Sequence, residues 1–472
     1  MHVTPLPAAA TLPLVFDPVL IKRLTQAGPR YSSYPGADHF ATTFGYRDYL
    51  KAVADLRTRG IARPLSLYLH IPFCDSVCYY CNCNKIVTKN RDQASIYLSY
   101  LKREIEMQGR LFAGMNQIEQ LHFGGGTPTY LSDEQMDGLM LHLRRNFRFA
   151  ADEVGEYSIE VDPRGLTRER VLSLRRQGFN RISLGLQDYD AEVQKAVNRV
   201  QPEHATQAII DAAREANFRS VSIDLIYGLP KQTLASMAQT LAKVIKAVPD
   251  RIAISNYAHL PHLFKPQRRI NEAELPSADM RLAMLGLCIS TLGEAGYVYI
   301  GMGDFARPGD DLAIAQAQGR LHRNFQGYSS HADMDLVACG ISAISSVAAT
   351  YSQNVKTLDA YYDLLDRNEL PIERGICLDM DDALRRAIIQ MLMCQFELSI
   401  PAIEQAYPIS FAEYFAPELL KLAALEADGV VTLDAEWLSV TPNGRFLIGN
   451  VCMAFDRYLG AATGAARCAR TI

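Results

Sequence analysis

The sequence predicts an α/β protein: an open, curved partial barrel of six βα units, preceded by an N-terminal arm and followed by a mainly helical, winged-helix-like domain. Three observations predict it. Between about residues 65 and 260, short β-branched apolar runs alternate with longer segments of helical period. Repetition at that spacing implies right-handed crossovers and a parallel sheet. From about residue 375 onward the texture shifts to helical runs followed by a short hairpin pattern. Six units are too few for a closed eight-fold barrel, and a doubly wound sheet is the alternative.

In chain order, residues 1–60 read as the arm, with one or two helices and the unusual segment Pro29–Pro35. Met1–Leu20 lacks a basic leading segment and is interrupted by Asp17, so no secretory signal is expected. The partial barrel and its extension are expected over residues 61–365. Its strands are expected at Ser66–Ile71, Gln120–Gly124, Glu156–Val161, Arg181–Leu186, Ser220–Ile226 and Arg251–Asn256. Tyr97, Leu98, Leu101 and Ile105 share one helical face, as do Leu234, Met237, Leu241, Val244 and Val248. Ser132 and Gln135 have the spacing of a capping box. Residues 265–365 are less regular and include the Gly- and Asp-rich stretch Gly301–Asp311. Residues 366–472 form the last domain, with helical runs Ala383–Cys394 and Leu419–Ala427 before a hairpin of Val430–Thr432 and Trp437–Thr441. Without a basic stripe it reads as a packing module rather than a nucleic-acid reader.

Composition excludes several classes. With 48 basic and 52 acidic residues there is no global pull toward nucleic acid or anionic membrane, and no apolar run approaches a membrane span. A cytoplasmic location is expected. Four of the 10 cysteines crowd between Cys74 and Cys83, while Cys288, Cys339, Cys377, Cys394, Cys452 and Cys468 are scattered. In a reducing compartment such a cluster binds metal or does redox chemistry, and isolated thiols are simply packed.

Cys74, Cys78 and Cys81 follow directly on the first expected strand. Cysteine thiolates at Cys-x3-Cys-x2-Cys spacing can hold three corners of a four-iron cube, leaving the fourth iron open to a chelating small molecule. Zinc is the competing reading, with Cys83 completing a closed tetrahedral site. Beyond the second strand, Gly124–Gly126 with Thr127 and Pro128 would let backbone approach a ligand closely. Glu160 and Asp162, Gln187 and Asp188, Asn198 and Arg199, and Asp224 fall at or just beyond successive strand ends. Polar groups on apolar strands are costly to bury unpartnered, and a shared polar ligand would satisfy them together.

The cysteine spacing, with Tyr80 just before the third cysteine, resembles the signature of the radical S-adenosylmethionine superfamily. The whole chain resembles its oxygen-independent coproporphyrinogen III oxidase family. The resemblance rests on Arg30–Pro35, Leu67–Lys85, Gly124–Leu131, Ser158–Pro163, Ile223–Thr233, Asn256–Pro261 and His322–Tyr328. It implies a radical S-adenosylmethionine barrel with a [4Fe-4S] cluster on Cys74, Cys78 and Cys81, and two bound S-adenosylmethionine molecules. Tyr68, Gly125, Glu160 and Ile344 would contact the first; Tyr80, Gly126, Thr127, Gln187, Arg199, Asp224 and Ala258 the second. Cys83 would be required without ligating the cluster.

The implied reaction decarboxylates two propionates of coproporphyrinogen III to the vinyl groups of protoporphyrinogen IX. A deoxyadenosyl radical takes hydrogen from the propionate β-carbon, and loss of carbon dioxide and of one electron to an acceptor follows; the electron that makes the radical comes from a low-potential donor such as flavodoxin or ferredoxin. A monomer is expected. Arg30, Lys85, Arg164, Arg307 and Arg323 are candidate partners for the substrate carboxylates. One departure stands out: where the family resembles Gly-Met-Asp-His-Phe, this chain has Gly301-Met302-Gly303-Asp304-Phe305. Asp304 thus replaces a titratable imidazole near the expected substrate. The related haem-binding chaperones keep a similar cysteine loop without oxidase activity, and a zinc-stabilised structural protein is the reading from a different class.

Overall fold

Six apolar runs become six parallel strands in chain order: β1 (Leu65–Ile71), β2 (Gln117–Gly125), β3 (Glu156–Val161), β4 (Arg181–Gln187), β5 (Ser220–Tyr227) and β6 (Arg251–Asn256). This computed structural model describes residues 14–26, 28–60, 63–114, 117–332 and 334–459. Cys468 and the first thirteen residues of the N-terminal stretch lie outside the described residues.

Side chains alternate along these strands because successive residues point to opposite faces. Leu67, Leu69, Leu121, Phe123, Ile159, Ile182, Leu184, Ile223 and Leu225 are buried; each such side chain contributes about 1.5–3 kcal/mol. The alternate positions Tyr68, His122, Ser158, Glu160, Ser183 and Asp224 are half-buried. The sheet therefore has one apolar face and one polar face. The six strands form the expected open barrel.

Two features go beyond the expectation. A seventh parallel strand, β7 (Asp335–Cys339), pairs with the free side of β1. An antiparallel run of β8 (Ile344–Val347), β9 (Thr350–Asn354) and β10 (Ile372–Cys377) continues the sheet from there. Short strands with Gly and Ser between them carried too little periodicity to be foreseen in the irregular 265–365 stretch.

The helices follow their faces. The helix α1 (Tyr46–Thr58) precedes the sheet, and α2 (Asp92–Leu111) buries Tyr97, Leu98, Leu101 and Ile105 as expected. The capping box opens α3 (Asp133–Asn146): the Gln135 amide donates to Ser132 Oγ at 3.2 Å, and the Ser132 amide donates to Gln135 Oε1 at 3.0 Å. In the helix Leu234–Lys246, Met237, Leu241 and Val244 are buried, whereas Leu234 is exposed at the first position. Val248 lies beyond the helix, exposed in a left-handed turn, so the apolar face is narrower than the sequence suggested.

Two compact units divide the chain differently from the linear divisions expected at 60 and 365. Of the described residues, the sheet unit comprises those within 40–277 and 334–377; the other comprises those within 14–39, 278–332 and 378–459. Residues 40–60 belong with the sheet because α1 packs on β8 and β9, and Ala41 pairs with Gly375. In the second unit, Tyr299 packs against Phe396 and Phe446, and Tyr328 donates to the Met393 carbonyl, so residues 278–332 fold with the C-terminal segment. That segment has the helices Met380–Gln395 and Ala416–Ala427. Its strands Val431–Leu433 and Trp437–Val440 pair antiparallel, joined by Glu397–Ser399. This three-stranded wing beside helices matches the winged-helix-like expectation. Among the described residues no helix is long and apolar enough to cross a membrane.

Candidate active site at the strand ends

The loops beyond β1 to β5 surround a cavity of about 720 Å³ within the sheet unit. Cys74, Cys78, Cys81, Cys83, Tyr80, Lys85, Gly125, Gly126, Thr127, Glu160, Arg164, Gln187, Arg199 and Asp224 line it. Most of the residues expected from sequence are thus brought together.

Backbone pairing fixes the cysteine loop. Phe73 and Cys74 pair with Ile86 and Val87, closing the loop on itself. The Tyr79 amide donates to the Val197 carbonyl at 3.0 Å, and Asn198 Nδ2 donates to the Val77 carbonyl at 2.7 Å. The loop after β4 therefore holds the cysteine loop from outside. Gly126 and Thr127 donate to the Ile71 and Phe73 carbonyls, both at 2.8 Å. A Cβ on Gly126 would lie 2.5 Å from the Pro72 carbonyl oxygen, so only glycine permits this approach. Gly125 adopts a φ of 113°, which disfavours any side chain.

The thiols differ in environment. The Cys83 thiol donates to Cys81, and with Lys85 nearby it holds Cys81 at about 6 against the opposing effect of burial; the same bond pushes Cys83 upward. Burial pushes Cys74 to about 11, although Thr127 Oγ1 donates to its sulfur at 3.5 Å. Cys78 is approached by two guanidinium groups, Arg199 Nη1 at 3.3 Å and Arg164 Nη2 at 3.4 Å. Both also bind Asp162. Burial works to raise the Asp162 carboxyl, but these two cations hold it below the ordinary carboxylate range.

Two histidines the sequence reading passed over complete the site. His122 Nε2 donates to Glu160 Oε1 at 3.0 Å, and its Nδ1 lies 2.6 Å from Ser158 Oγ. The Gly125 amide donates to Glu160 Oε2 at 3.3 Å. The Asn84 carbonyl can only accept, so buried His70 donates to it from Nε2 at 2.8 Å and accepts from Tyr68 on Nδ1 at 3.1 Å. Burial lowers the His70 pKa, which keeps the ring neutral. Both histidines occupy inward positions beside the glycine run, which was the available signal. Gln187 has a φ of 72° at a bulge in β4, a strained position of the kind active sites retain.

Tyr68, Ala258 and Ile344 stand apart from the cavity lining. Tyr68 stacks on His122 with ring centroids 5.8 Å apart. The Ala258 carbonyl shares the Gln267 side-chain amide with the Tyr80 carbonyl, each at 3.1 Å. Ile344 opens β8, two strands across from β1. Lys85 donates to the Cys81 carbonyl at 3.0 Å. Arg30, Asp304, Arg307 and Arg323 belong to the second unit, where Arg30 and Arg307 are exposed. Arg323 lies 3.9 Å from Asp304 and over the Tyr328 ring. Gly303 has a φ of 89° in the turn between Val298–Gly301 and Asp304–Ala306, so glycine suits the position where the family pattern has aspartate.

Among the described residues no three His, Cys, Asp or Glu groups converge on a single ion position. Thiols on the lining of one cavity, with N–H and O–H donors directed at the Cys74 and Cys78 sulfurs, suit a multi-iron cluster.

Comparison with known proteins agrees with this geometry. Residues 68–244 match the Radical SAM superfamily and residues 378–447 the HemN C-terminal domain. The chain is 50% identical over 444 residues to the oxygen-independent coproporphyrinogen III oxidase of Pseudomonas aeruginosa, covering 94% of this chain and 96% of that protein. It belongs to the oxygen-independent coproporphyrinogen III oxidase family. The Escherichia coli relative is 49% identical over the same shares. The solved structure of E. coli coproporphyrinogen III oxidase (HemN), described as a radical SAM enzyme, superposes with a TM-score of 0.90 over 94% of this chain and 100% of that one. A [4Fe-4S] cluster and S-adenosylmethionine are the cofactors of the superfamily to which this oxidase family belongs, and the thiols and glycine cradle described above fit them.

Proposed function

We propose that this chain converts coproporphyrinogen III to protoporphyrinogen IX without oxygen, decarboxylating two propionates to vinyl groups in tetrapyrrole biosynthesis. The observation that carries the reading is the cavity itself. Three cysteines, the glycine cradle and Glu160 line one wall in a chain half identical to named coproporphyrinogen III oxidases. Held by Cys74, Cys78 and Cys81, a [4Fe-4S] cluster would supply the electron that cleaves S-adenosylmethionine; the resulting radical would take a hydrogen from the propionate β-carbon, with carbon dioxide leaving and one electron passing to an acceptor.

The chain's own residues prepare that chemistry. The Cys83 thiol and Lys85 lower the Cys81 pKa, which favours the thiolate form that binds iron. Cys83 acts beside the ligands as a thiol donor to Cys81. Tyr68, Gly125, Glu160 and Ile344 are assigned to the first S-adenosylmethionine. Tyr80, Gly126, Thr127, Gln187, Arg199, Asp224 and Ala258 are assigned to the second. His122 orients Glu160, and the backbone of Gly124–Gly126 offers polar groups at close range. Lys85, on the cavity lining, is the cation assigned to a substrate carboxylate, and Arg164 is engaged by Asp162. The electron comes from a low-potential donor such as flavodoxin or ferredoxin, and the enzyme works as a cytoplasmic monomer.

The test is an anaerobic assay of the reconstituted protein with coproporphyrinogen III and reductant, following deoxyadenosine and vinyl-bearing product together. Both should form. Deoxyadenosine without vinyl product would leave a radical enzyme for another substrate, and haem binding with neither product would mark a chaperone.

A further inference from the structure

Two arginines from different strand-end loops converge on one sulfur. Arg199 is nearly buried, with a side chain 8% exposed. Its Nε donates to the Gly185 carbonyl at 3.2 Å, and its Nη1 is shared between Cys78 Sγ at 3.3 Å and Asp162 Oδ2 at 3.2 Å. A Cβ on residue 185 would come within 3.0 Å of this guanidinium, so Gly185 clears its path. Arg164 is clamped by Asp162, Nε to Oδ1 at 3.0 Å and Nη2 to Oδ2 at 2.6 Å, and the same Nη2 reaches Cys78 Sγ at 3.4 Å. Asp162 is thus a bracket that aims both cations. The neighbouring Cys74 receives a neutral hydroxyl instead, from Thr127.

We propose that Arg164 and Arg199 raise the reduction potential of the cluster by donating hydrogen bonds to the Cys78 ligand, with Asp162 setting how far. The inference rests on the reading that Cys78 ligates the cluster. One-electron reduction adds a negative charge shared between iron and sulfur. N–H donors and positive charge at a ligand sulfur stabilise the reduced form more than the oxidised one. Asp162 works in the opposite direction, since its carboxylate, bound to both guanidinium groups, offsets part of their charge. Arg164 is therefore a positioning and tuning residue, a different role from the substrate contact that the sequence suggested.

The test is a dithionite titration of anaerobically reconstituted protein without S-adenosylmethionine, followed by the spin signal of the reduced cluster, with iron and sulfide counted in each sample. In Arg164→Met, the reduced-to-oxidised ratio at the wild-type midpoint should fall about tenfold, a shift of about 59 mV for one electron. In Asp162→Asn the midpoint should move the other way. A fully loaded Arg164→Met protein with the wild-type midpoint would overturn the proposal. If Arg164→Met fails to hold a cluster, Asp162→Asn decides: a rise supports the assignment, and no rise overturns it. Loss of the cluster from both variants, with the wild type intact, would make these residues scaffolding and overturn the redox role. Failure of the wild type to bind iron and sulfide would instead defeat the proposed function.

Discussion

Glu104 and Glu160 are carboxylates of the same unit with opposite surroundings. Glu104, on α2, is fully buried. It accepts from Tyr361 Oη at 2.5 Å, from Asn354 Nδ2 at 2.7 Å and from the Gly340 amide at 2.7 Å. The Tyr97 hydroxyl beside it donates to the His70 carbonyl at 2.7 Å, so this closed network underlies the end of β1. Glu160, on β3, has a side chain 44% exposed at the cavity and accepts from one ring nitrogen and one amide. Glu104 is saturated by protein and serves the fold; Glu160 keeps acceptor capacity for a ligand. Burial alone does not mark a functional acid. Remaining hydrogen-bonding capacity at a cavity does.

Removing a proposed cluster ligand should have the largest effect. Cys78→Ala is expected to abolish deoxyadenosine formation, read by chromatography after reduction; retained cleavage would detach the cysteine loop from the chemistry.

Next comes Glu104. Glu104→Leu strands three donors and should cost about 3 kcal/mol or more in thermal or denaturant unfolding. The near-isosteric Glu104→Gln should cost about 1 kcal/mol at acidic pH, where Glu104 is protonated. Burial, only partly opposed by its donors, pushes Glu104 up to about 7, above its unfolded value. A raised pKa means that its contribution is complete below about 4.5 and is lost as pH rises through 7, about 3 kcal/mol in all. Wild-type stability should therefore fall across that window relative to Glu104→Gln; parallel curves would contradict it.

Gly126→Ala probes the cavity side. The added methyl meets backbone oxygens of Pro72 and Phe73 that cannot yield without moving the cysteine loop. S-adenosylmethionine affinity should drop at least about tenfold, the equivalent of about 1–3 kcal/mol of overpacking, measured by equilibrium binding to the loaded protein. His122→Phe keeps the ring stacked on Tyr68 but removes the donor to Glu160. A loss of about tenfold in the same affinity, with iron content unchanged, would be consistent with one charge-assisted hydrogen bond. The smallest effect is expected in the second unit. Asp304→His restores the histidine of the family pattern, with Gly303 unchanged, and should preserve or modestly raise turnover of coproporphyrinogen III; complete loss would show that the Asp304–Arg323 pair has been retuned.

All six barrel strands were legible because they alternate with helices and carry β-branched runs, and their ends located the cavity. The cysteine loop and glycine run were legible for a different reason: ligand spacing and backbone approach demand particular residue types. What stayed hidden depended on long-range pairing. β7 lies beside β1 although more than 260 residues separate them, and no local pattern announces such a partner. Residues 278–332 fold with the C-terminal segment through Tyr299 and Tyr328, contacts that periodicity cannot reveal. His122 was overlooked because one histidine on an apolar strand reads as packing until Glu160 is seen beside it. Glu104 hid within the apolar face of α2, where its three donors come from segments more than 230 residues away.

The central claim is a cluster held by three cysteines with its fourth iron accessible. Mössbauer spectra of protein reconstituted with enriched iron, before and after S-adenosylmethionine, test it most directly. Four irons per chain are predicted, with one of them alone changing its signal when the sulfonium compound is added. Four unresponsive irons, or zinc without acid-labile sulfide, would contradict it.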